Sequence, residues 1–279
     1  MLLRVQHQLL YSYSQPITLD PHVLYLHPLA TPFLRVKRFD LQITPKPTFL
    51  VRNLDAENNI QFVTYYQQST SSLAIMMETE VENTQENPFN FIVYPFDSQQ
   101  IPFTYPDQVK LLLQPYLVSN DVEPSVQEFA QQVVSKANWN TLAFLLQLNK
   151  AIFENFAYEV RDEGMAQSPE RTLQLRKGSC RDFVVLYMAV CRMFGIAARL
   201  VSGYSYSSAD EPQYLHAWAE VYLPGAGWRG YDPTQNCMVA DSHIPLAASV
   251  SLDNITPVRG VYRGHAQSSL LTSVKISKC

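Results

Sequence analysis

The chain has few charged side chains and no excess of positive ones. Only 16% of its 279 residues are charged, and its formal net charge is −4, whereas globular proteins average roughly 25% charged residues. Nucleic-acid binding depends on clustered Lys and Arg, so this composition argues against a nucleic-acid partner. With 47% hydrophobic and 12% aromatic residues, the chain also lacks the composition of a disordered protein. These fractions predict a folded protein with a sizeable core.

Glycine, cysteine and long hydrophobic runs are also scarce. Nine Gly and four Cys exclude a collagen-like sequence and a disulfide framework. No hydrophobic run approaches the roughly 20 residues that a membrane helix needs. Met1–Leu10 is too short and too polar for the core of a signal peptide. We therefore expect a protein with no membrane partner that stays in the cytoplasm.

The four cysteines, Cys180, Cys191, Cys237 and Cys279, show no close paired spacing. If Cys180 and Cys191 share one helix, they lie about 16.5 Å apart along it. A disulfide needs a Cα separation of about 4.4–6.8 Å, so this pair cannot form one. We expect free thiols in a reducing compartment.

The first part of the chain has the pattern of short antiparallel strands. Hydrophobic and polar residues alternate partially in several segments that are rich in β-branched and aromatic residues, and turn-forming residues separate them. These segments are Val5–Tyr13, Leu34–Ile43, Ile60–Tyr66 and Ser72–Val81. They predict a β-sandwich-like N-terminal domain over residues 1–110.

Residues 88–124 contain six prolines, which discourage regular structure and mark a domain junction. Beyond it the hydrophobic period becomes helical, and strands follow. Helices are predicted over Ser125–Val134, from a cap at Thr141 to Phe156, and over residues 178–194. Strands are predicted over Arg199–Tyr206, Leu215–Leu223, Trp228–Asp232, Val258–Arg263 and Leu270–Ile276. Helices followed by strands indicate an α+β domain, which we assign to residues 111–279.

Cys180 is placed at the predicted start of a helix, directly after Gly178 and Ser179. The unpaired N–H groups and the positive dipole end of a helix favour the thiolate form of a cysteine there. The same N–H groups offer part of an oxyanion hole. Cys191 falls in the middle of the same helix among hydrophobic residues, so we assign it to the core.

A thiolate nucleophile needs a basic partner, usually histidine, and His216 is the best candidate because it lies in a clear strand. A turn near residues 224–227 puts Asp232 opposite residue 218 or 219. The first register leaves Asp232 diagonal to His216, about 7–8 Å away between Cα atoms. Asp232 then either orients the histidine ring or only starts an Asp-Pro turn.

Successive motifs resemble those of the transglutaminase-like superfamily, in the microbial branch often described as candidate cysteine proteases. They are Gly178–Phe183, Gly195–Tyr204, His216–Tyr222, and Gly227-Trp228 followed by Asp232–Thr234. The first hundred residues resemble the β-rich N-terminal domain of this branch, and residues 257–264 resemble its C-terminal end. The resemblance spans nearly the whole chain.

The resemblance implies an α+β fold in which a papain-like transglutaminase core, with a nucleophile helix against an antiparallel sheet, follows an all-β sandwich-like domain. It implies that Cys180 is the nucleophile, His216 the base and ion-pair partner, and Asp232 the orienting carboxylate. Relatives that use calcium do so through acidic insertions, and we see none in this sequence. A metal site of Cys180, His216 and Cys237 lacks a close ligand pair. We therefore predict no cofactor and no metal.

Other residues near these motifs have two interpretations each. Trp139, 41 residues before the candidate nucleophile, is a second oxyanion donor or, as we favour, a packing residue. Trp218 and Trp228 either line a groove next to the candidate site or pack against neighbouring side chains. Gly203 lets a substrate strand approach or marks a bulge. Asp182 is functional or, as we favour, an ordinary acid in the first turn of a helix.

We expect an enzyme: a cysteine-dependent hydrolase or acyltransferase that acts on peptide or carboxamide bonds through a thioester acyl-enzyme. Its substrate is then a protein or a peptide. Hydrolysis is preferred, because water is the default acceptor and no amine site is evident in the sequence. A protein-glutamine gamma-glutamyltransferase and a non-catalytic scaffold of the same fold stay open as alternatives, and so does the oligomeric state.

Overall fold

The computed structural model describes residues 1–119, 122–161, 164–208 and 213–279. Its first part is all β, and each strand predicted there is confirmed, three of them longer than predicted and the one predicted over Ile60–Tyr66 ending one residue earlier. The strands are β1 (Leu2–Leu19), β2 (His22–Leu24), β3 (Leu34–Thr44), β4 (Phe49–Leu54), β5 (Ile60–Tyr65) and β6 (Ser69–Asn83). Two of them, β2 and β4, had no sequence signal, because β2 is very short and β4 is exposed on both faces, so neither alternates.

Helices follow, and strands come after them. The helices are α1 (Asp107–Leu117), α2 (Pro124–Lys136), α3 (Thr141–Asn155), α4 (Pro169–Leu175) and α5 (Cys180–Met193). Two short strands lie among them, β7 (Ala157–Tyr158) and β8 (Lys177–Gly178). The strands after α5 are β9 (Ala198–Ser205), β10 (His216–Leu223), β11 (Gly227–Asp232), β12 (Cys237–Met238), β13 (His243–Ser249), β14 (Val258–Arg259), β15 (Tyr262–Arg263) and β16 (Ser268–Lys278). The fold is thus the predicted α+β core preceded by a β-rich region. In the described parts of the chain, every helix is too short or too polar to cross a membrane.

The N-terminal strands form two sheets that face each other. In one sheet β1 lies between β6 and the late strands β15 and β16, and β3 pairs with β6. The other sheet has the order β14-β2-β5-β4. Phe39 of the first sheet stacks on Phe62 of the second, with ring centroids 5.6 Å apart. Strand β1 buries Leu3, Val5 and Leu9 between them, which is the alternation expected of a half-buried strand.

The last strands of the chain lie in these N-terminal sheets. Strand β16 pairs with β1 from Leu3↔Lys278 to Tyr13↔Ser268, and Val258 of β14 pairs with Leu24 of β2. The predicted division assigns residues 111–279 as a whole to the second domain and stays a prediction, while in the structure β14, β15 and β16 pair with N-terminal strands. Alternation predicts that a segment is a strand, but it does not say which distant strand supplies its partner.

The Pro-rich stretch is more regular than predicted. Helix α1 occupies Asp107–Leu117 and contains Pro115. Pro106 directly precedes the helix, where a missing N–H costs nothing. Pro115 lies in the last turn, where it removes one hydrogen bond to the preceding turn, and the helix ends two residues later. Prolines at these positions are compatible with a short helix, so the expectation of irregular structure was wrong here.

Helix α3 begins one residue from its predicted cap. The cap is Asn140, whose side chain accepts a hydrogen bond from the Ala143 N–H at 3.0 Å. Thr141 is the first helical residue and is buried, and its hydroxyl donates to the Ser98 carbonyl oxygen at 2.8 Å. Both residue types make good caps, so sequence alone does not separate two adjacent candidates.

The sheet of the α+β part has the order β12-β11-β10-β9-β13 and is antiparallel. Helix α5 packs against β9 and β10, and Tyr187 of the helix stacks on Tyr231 of β11 with ring centroids 5.9 Å apart. The helix ends before Gly195, whose φ of +73° suits glycine, as predicted. This packing brings the first turn of α5 to the end of the sheet where β10 starts and β11 finishes.

Candidate active site

Cys180 is the first residue of helix α5, and its side chain is half-buried. Ser179 caps the helix, and its N–H and hydroxyl both donate to Asp182 Oδ2 at 2.7 Å. The first helical N–H groups have no acceptor within the helix. The local sequence thus places the thiol at the N-terminal, positive end of a helix.

Asp182 does more than cap the helix. Its fully buried carboxylate also accepts from Arg161 Nη1 at 2.8 Å and from the Gln167 N–H at 2.6 Å. Burial acts to raise the pKa of Asp182, but the hydrogen bonds outweigh burial and lower it. Asp182 therefore fastens the segment around Arg161 and Gln167 to the start of α5, beside Cys180.

His216 and Asp232 are in direct contact. His216 begins β10, Asp232 ends β11, and the pair Ala219↔Tyr231 puts Asp232 opposite Trp218, the first of the two registers considered above. The distance from His216 Nε2 to Asp232 Oδ2 is 2.6 Å. The other oxygen, Oδ1, accepts from the N–H of Thr234 at 2.9 Å. Asp232 therefore starts the turn and contacts the histidine, each with a different oxygen.

The electrostatics of this pair favour a charged histidine. Burial alone acts to lower the pKa of His216, but the charge and hydrogen bond of Asp232, together with an interaction with Cys180, raise it well above its ordinary value. Burial acts to raise the pKa of Asp232, and its contacts with His216 and His243 instead hold it well below the usual range. The site therefore brings Cys180, His216 and Asp232 together in the order in which a thiolate–imidazolium–carboxylate arrangement needs them.

His243 also contacts Asp232, and the sequence analysis did not single it out. It starts β13, is 1% exposed, and has its Nε2 3.4 Å from Asp232 Oδ2. Its ring meets Trp218 edge to face, with centroids 5.2 Å apart. Every residue of β13 is buried, so the strand shows no alternation. The one feature of the sequence that could have drawn attention to His243 is its position directly before a hydrophobic run.

Trp218 and Gly203 have packing roles. Trp218 is fully buried against Val201 and Ala248, so it does not line a groove. A Cβ on Gly203 would lie 2.3 Å from the Ile244 carbonyl oxygen and 2.6 Å from Trp218 Cη2. The side of Gly203 that a substrate strand would need is therefore filled by the protein itself.

We expect Gly203→Ala to lower the free energy of unfolding by about 3 kcal/mol, because the added methyl group must displace both the β13 backbone and the Trp218 ring. Urea denaturation of the variant and the parent measures this difference. A loss below about 1 kcal/mol would mean that β9 and β13 separate easily, and the substrate-approach interpretation would return.

All four thiols are free. Burial raises the pKa of Cys191, and burial with the charge of Asp232 raises the pKa of Cys237 to about 12. Cys279 is exposed and far along the chain from the site. Cys180 is thus the thiol that combines a helix start with a histidine partner.

Two family models match the chain. That of the transglutaminase-like superfamily matches residues 127–233, and that of the bacterial transglutaminase-like N-terminal region matches residues 3–82. The chain thus contains a transglutaminase-like core and a bacterial transglutaminase-like N-terminal region. The first match contains Cys180, His216 and Asp232, and the second contains strands β1 to β5 and most of β6.

Relatives of this transglutaminase-like protein occur in mycobacteria. An uncharacterized protein of Mycobacterium tuberculosis is 24% identical over 288 residues, which cover 96% of this chain and 90% of that protein. An uncharacterized protein of Mycobacterium leprae is 29% identical over 121 residues, which cover 41% of this chain and 43% of that protein. The crystal structure of a candidate cysteine protease from Cytophaga hutchinsonii has a TM-score of 0.74 and 18% identity, covering 99% of this chain and 90% of that chain. At this identity the likeness shows the fold.

The two other tryptophans of this transglutaminase-like protein lie away from Cys180. Trp139 meets Phe194 edge to face at 6.0 Å, and Phe194 caps the opposite end of α5, about 20 Å along the helix. Trp228 pairs with Tyr222 near the hairpin turn and stacks under Arg199, whose guanidinium carbon is 4.2 Å from the ring centre. Both residues pack, so a second oxyanion donor has to come from another group.

Proposed function

We propose that this protein is a cysteine-dependent hydrolase of peptide or carboxamide bonds, with Cys180 as nucleophile, His216 as base and ion-pair partner, and Asp232 as orienting carboxylate. The observation that carries the proposal is the 2.6 Å contact between His216 Nε2 and Asp232 Oδ2, on a ring that also interacts with Cys180. A nucleophile, a base and a group that orients the base are the parts of a covalent acyl-transfer site.

The reaction starts from the thiolate of Cys180 and the imidazolium of His216. The Sγ atom attacks the substrate carbonyl carbon, and the oxygen takes up negative charge. The backbone N–H of Cys180, at the positive end of α5, stabilises this oxyanion. The C–N bond then breaks, the leaving amine takes the proton of His216, and a thioester remains on Cys180.

Deacylation returns the enzyme to its first state. Neutral His216 takes a proton from water, and the resulting hydroxide attacks the thioester carbonyl. The C–S bond breaks, the acid product leaves, and the imidazolium again faces the thiolate. Asp232 supports both steps, because its buried carboxylate fixes the ring and stabilises its positive charge.

Two alternatives have distinct chemistry. In a transglutaminase, a primary amine replaces water in the second half of the reaction. In a scaffold, the site binds without turnover. Water is the default acceptor, so hydrolysis stays our preference. The cytoplasmic location, a protein or peptide substrate, and the lack of nucleic-acid and membrane partners stay predictions from the sequence.

Product analysis on peptides separates these functions. We expect a peptide mixture that includes Gln-containing peptides, incubated with a primary amine, to yield mainly free acid or cleaved product. Cys180→Ala should lower the rate by at least about 10³-fold, since loss of a triad nucleophile removes most of the rate enhancement. Mass spectrometry of the products gives both quantities.

Cys279→Ser is the matched control, because it removes an exposed thiol and should keep full activity. Incorporated amine with little free acid would establish the transferase instead. If no substrate gives product or a mass adduct on Cys180, the scaffold alternative gains and the hydrolase proposal fails.

A further inference from the structure

Three potential metal ligands meet at Asp232. A carboxylate oxygen of Asp232, Sγ of Cys237 and a ring nitrogen of His243 all lie within 4.8 Å of one another. The topology explains this: Asp232 pairs with Cys237 in the β11–β12 ladder, and His243 begins β13 five residues beyond β12. The cluster differs from the combination considered in the sequence analysis, since His243 replaces His216 and Asp232 replaces Cys180.

Two of the three groups, His243 and Cys237, make only long contacts through the atoms that would bind an ion. His243 Nε2 is 3.4 Å from Asp232 Oδ2 and 3.4 Å from Ser205 Oγ, whereas a well-formed bond is about 2.9 Å long. Cys237 Sγ is 4.0 Å from its hydrogen-bond partner, Gln235 Oε1. Asp232 is the firmly held member, since its Oδ2 contacts His216 and its Oδ1 accepts from the Thr234 N–H.

The other ring nitrogen of His243 is held in place. Nδ1 lies 3.1 Å from the hydroxyl oxygen of Ser242. Histidines that bind metals commonly have such an outer partner, which fixes the ring so that the free nitrogen faces the ion. Gln235 is exposed and Ser205 half-buried, so the cluster has a route to solvent.

We propose that Asp232, Cys237 and His243 form a binding site for a divalent cation of the zinc class. A thiolate, an imidazole and a carboxylate are the ligand types that Zn²⁺ binds, and a fourth position stays open for water. Tetrahedral ligands at about 2.0–2.3 Å from the ion lie about 3.3–3.8 Å apart, so the most widely spaced ligand atoms have to approach each other by up to about 1 Å. Cys237 loses its proton to solvent as the sulfur–metal bond forms.

The ion would share a carboxylate with His216. Asp232 Oδ2 already contacts His216 Nε2 at 2.6 Å, and a cation bound to the same oxygen competes with that contact. This consequence, unlike the site itself, rests on the proposed function. We expect Zn²⁺ to slow the alkylation of Cys180, so that a metal ion bound at this site inhibits the enzyme.

Titration with Co²⁺ tests the site without any measurement of activity. We expect a Cys279→Ser parent to bind one Co²⁺ with the near-ultraviolet charge-transfer band of a thiolate–cobalt bond, and Zn²⁺ to abolish that band. The parent carries the substitution because an exposed thiol could bind the probe. Adding Cys237→Ser should remove the band and weaken Co²⁺ binding by at least about 100-fold. Loss of a mere hydrogen-bond partner of a metal ligand already weakens metal binding by up to about 100-fold, and Cys237 is a ligand itself.

Cys180→Ser in the same parent identifies the thiol, because Cys180 and His216 are the competing ligand pair. Our proposal expects this variant to keep the band. A band that survives Cys237→Ser and disappears in Cys180→Ser overturns the proposal in favour of the candidate active site, and no band in the parent also overturns it. Cys237→Ala serves if the serine variant fails to fold, which thermal melting without metal shows. Zn²⁺ that binds through Cys237 without slowing Cys180 alkylation refutes the shared carboxylate.

Discussion

His216→Ala changes how the alkylation of Cys180 by iodoacetamide depends on pH. In the parent protein we expect a fast rate already at pH 6, because the raised pKa of His216 keeps its imidazolium beside the Cys180 sulfur. Without that partner the positive charge that favours the thiolate is gone, so the rate at low pH should fall. At pH 6 alkylation of Cys180 should be slower in the variant by about tenfold or more. The loss is no larger because the thiolate of a less acidic thiol is the stronger nucleophile, which offsets part of the effect. Peptide mass spectrometry follows each cysteine separately.

The controls for this experiment lie in the same chain. Cys279 is exposed, and its rate should be the same in the parent and the variant. His265→Ala removes another, exposed histidine and should leave Cys180 unchanged. A parent rate for Cys180 at pH 6 no faster than that of the variant would show that the ion pair does not form, and the scaffold alternative would then lead.

Acid weakens the fold through His7. Burial lowers the pKa of His7 to about 4 from 6.5. Because the folded-state pKa lies below the unfolded one, the stability that neutral His7 supports is present above pH 6.5 and is lost as the pH falls towards 4. A lowering of the pKa from 6.5 to about 4 corresponds to about 3 kcal/mol of stability, most of which should be gone by pH 4.5.

His7 has this effect because it joins distant parts of the chain. Its Nδ1 lies 2.8 Å from the Tyr204 hydroxyl of β9, and its Nε2 lies 3.2 Å from Thr272 Oγ1 of β16. Urea unfolding of the parent and of His7→Asn at pH 7 and 4.5 isolates its contribution, since the difference in unfolding free energy between the two proteins should shrink by about 2–3 kcal/mol on acidification. His265→Ala should follow the parent, and an equal pH dependence in His7→Asn and the parent would refute the assignment.

Elements with a clear period were predictable, and elements without one were not. Strands β1 and β6 alternate because one face is buried, and α5 shows a hydrophobic face and a glycine stop. Strand β13 is buried on both faces and β4 is exposed on both, so neither carries a period-2 signal. His243 was missed for this reason, since its strand was not recognised.

Local sequence by itself determined that Cys180 starts a helix and that the β10–β11 hairpin turns Asp232 back towards His216. Both follow from residues close together in the chain, where capping, period and turn length are sufficient. Only the tertiary structure decided that the start of α5 lies beside this hairpin, that His243 contacts Asp232, and that β16 completes the first sheet. These contacts depend on how helix and sheets pack around shared hydrophobic cores. The spacing of hydrophobic residues shows that an element has a face to bury, but it does not identify the distant element that covers that face.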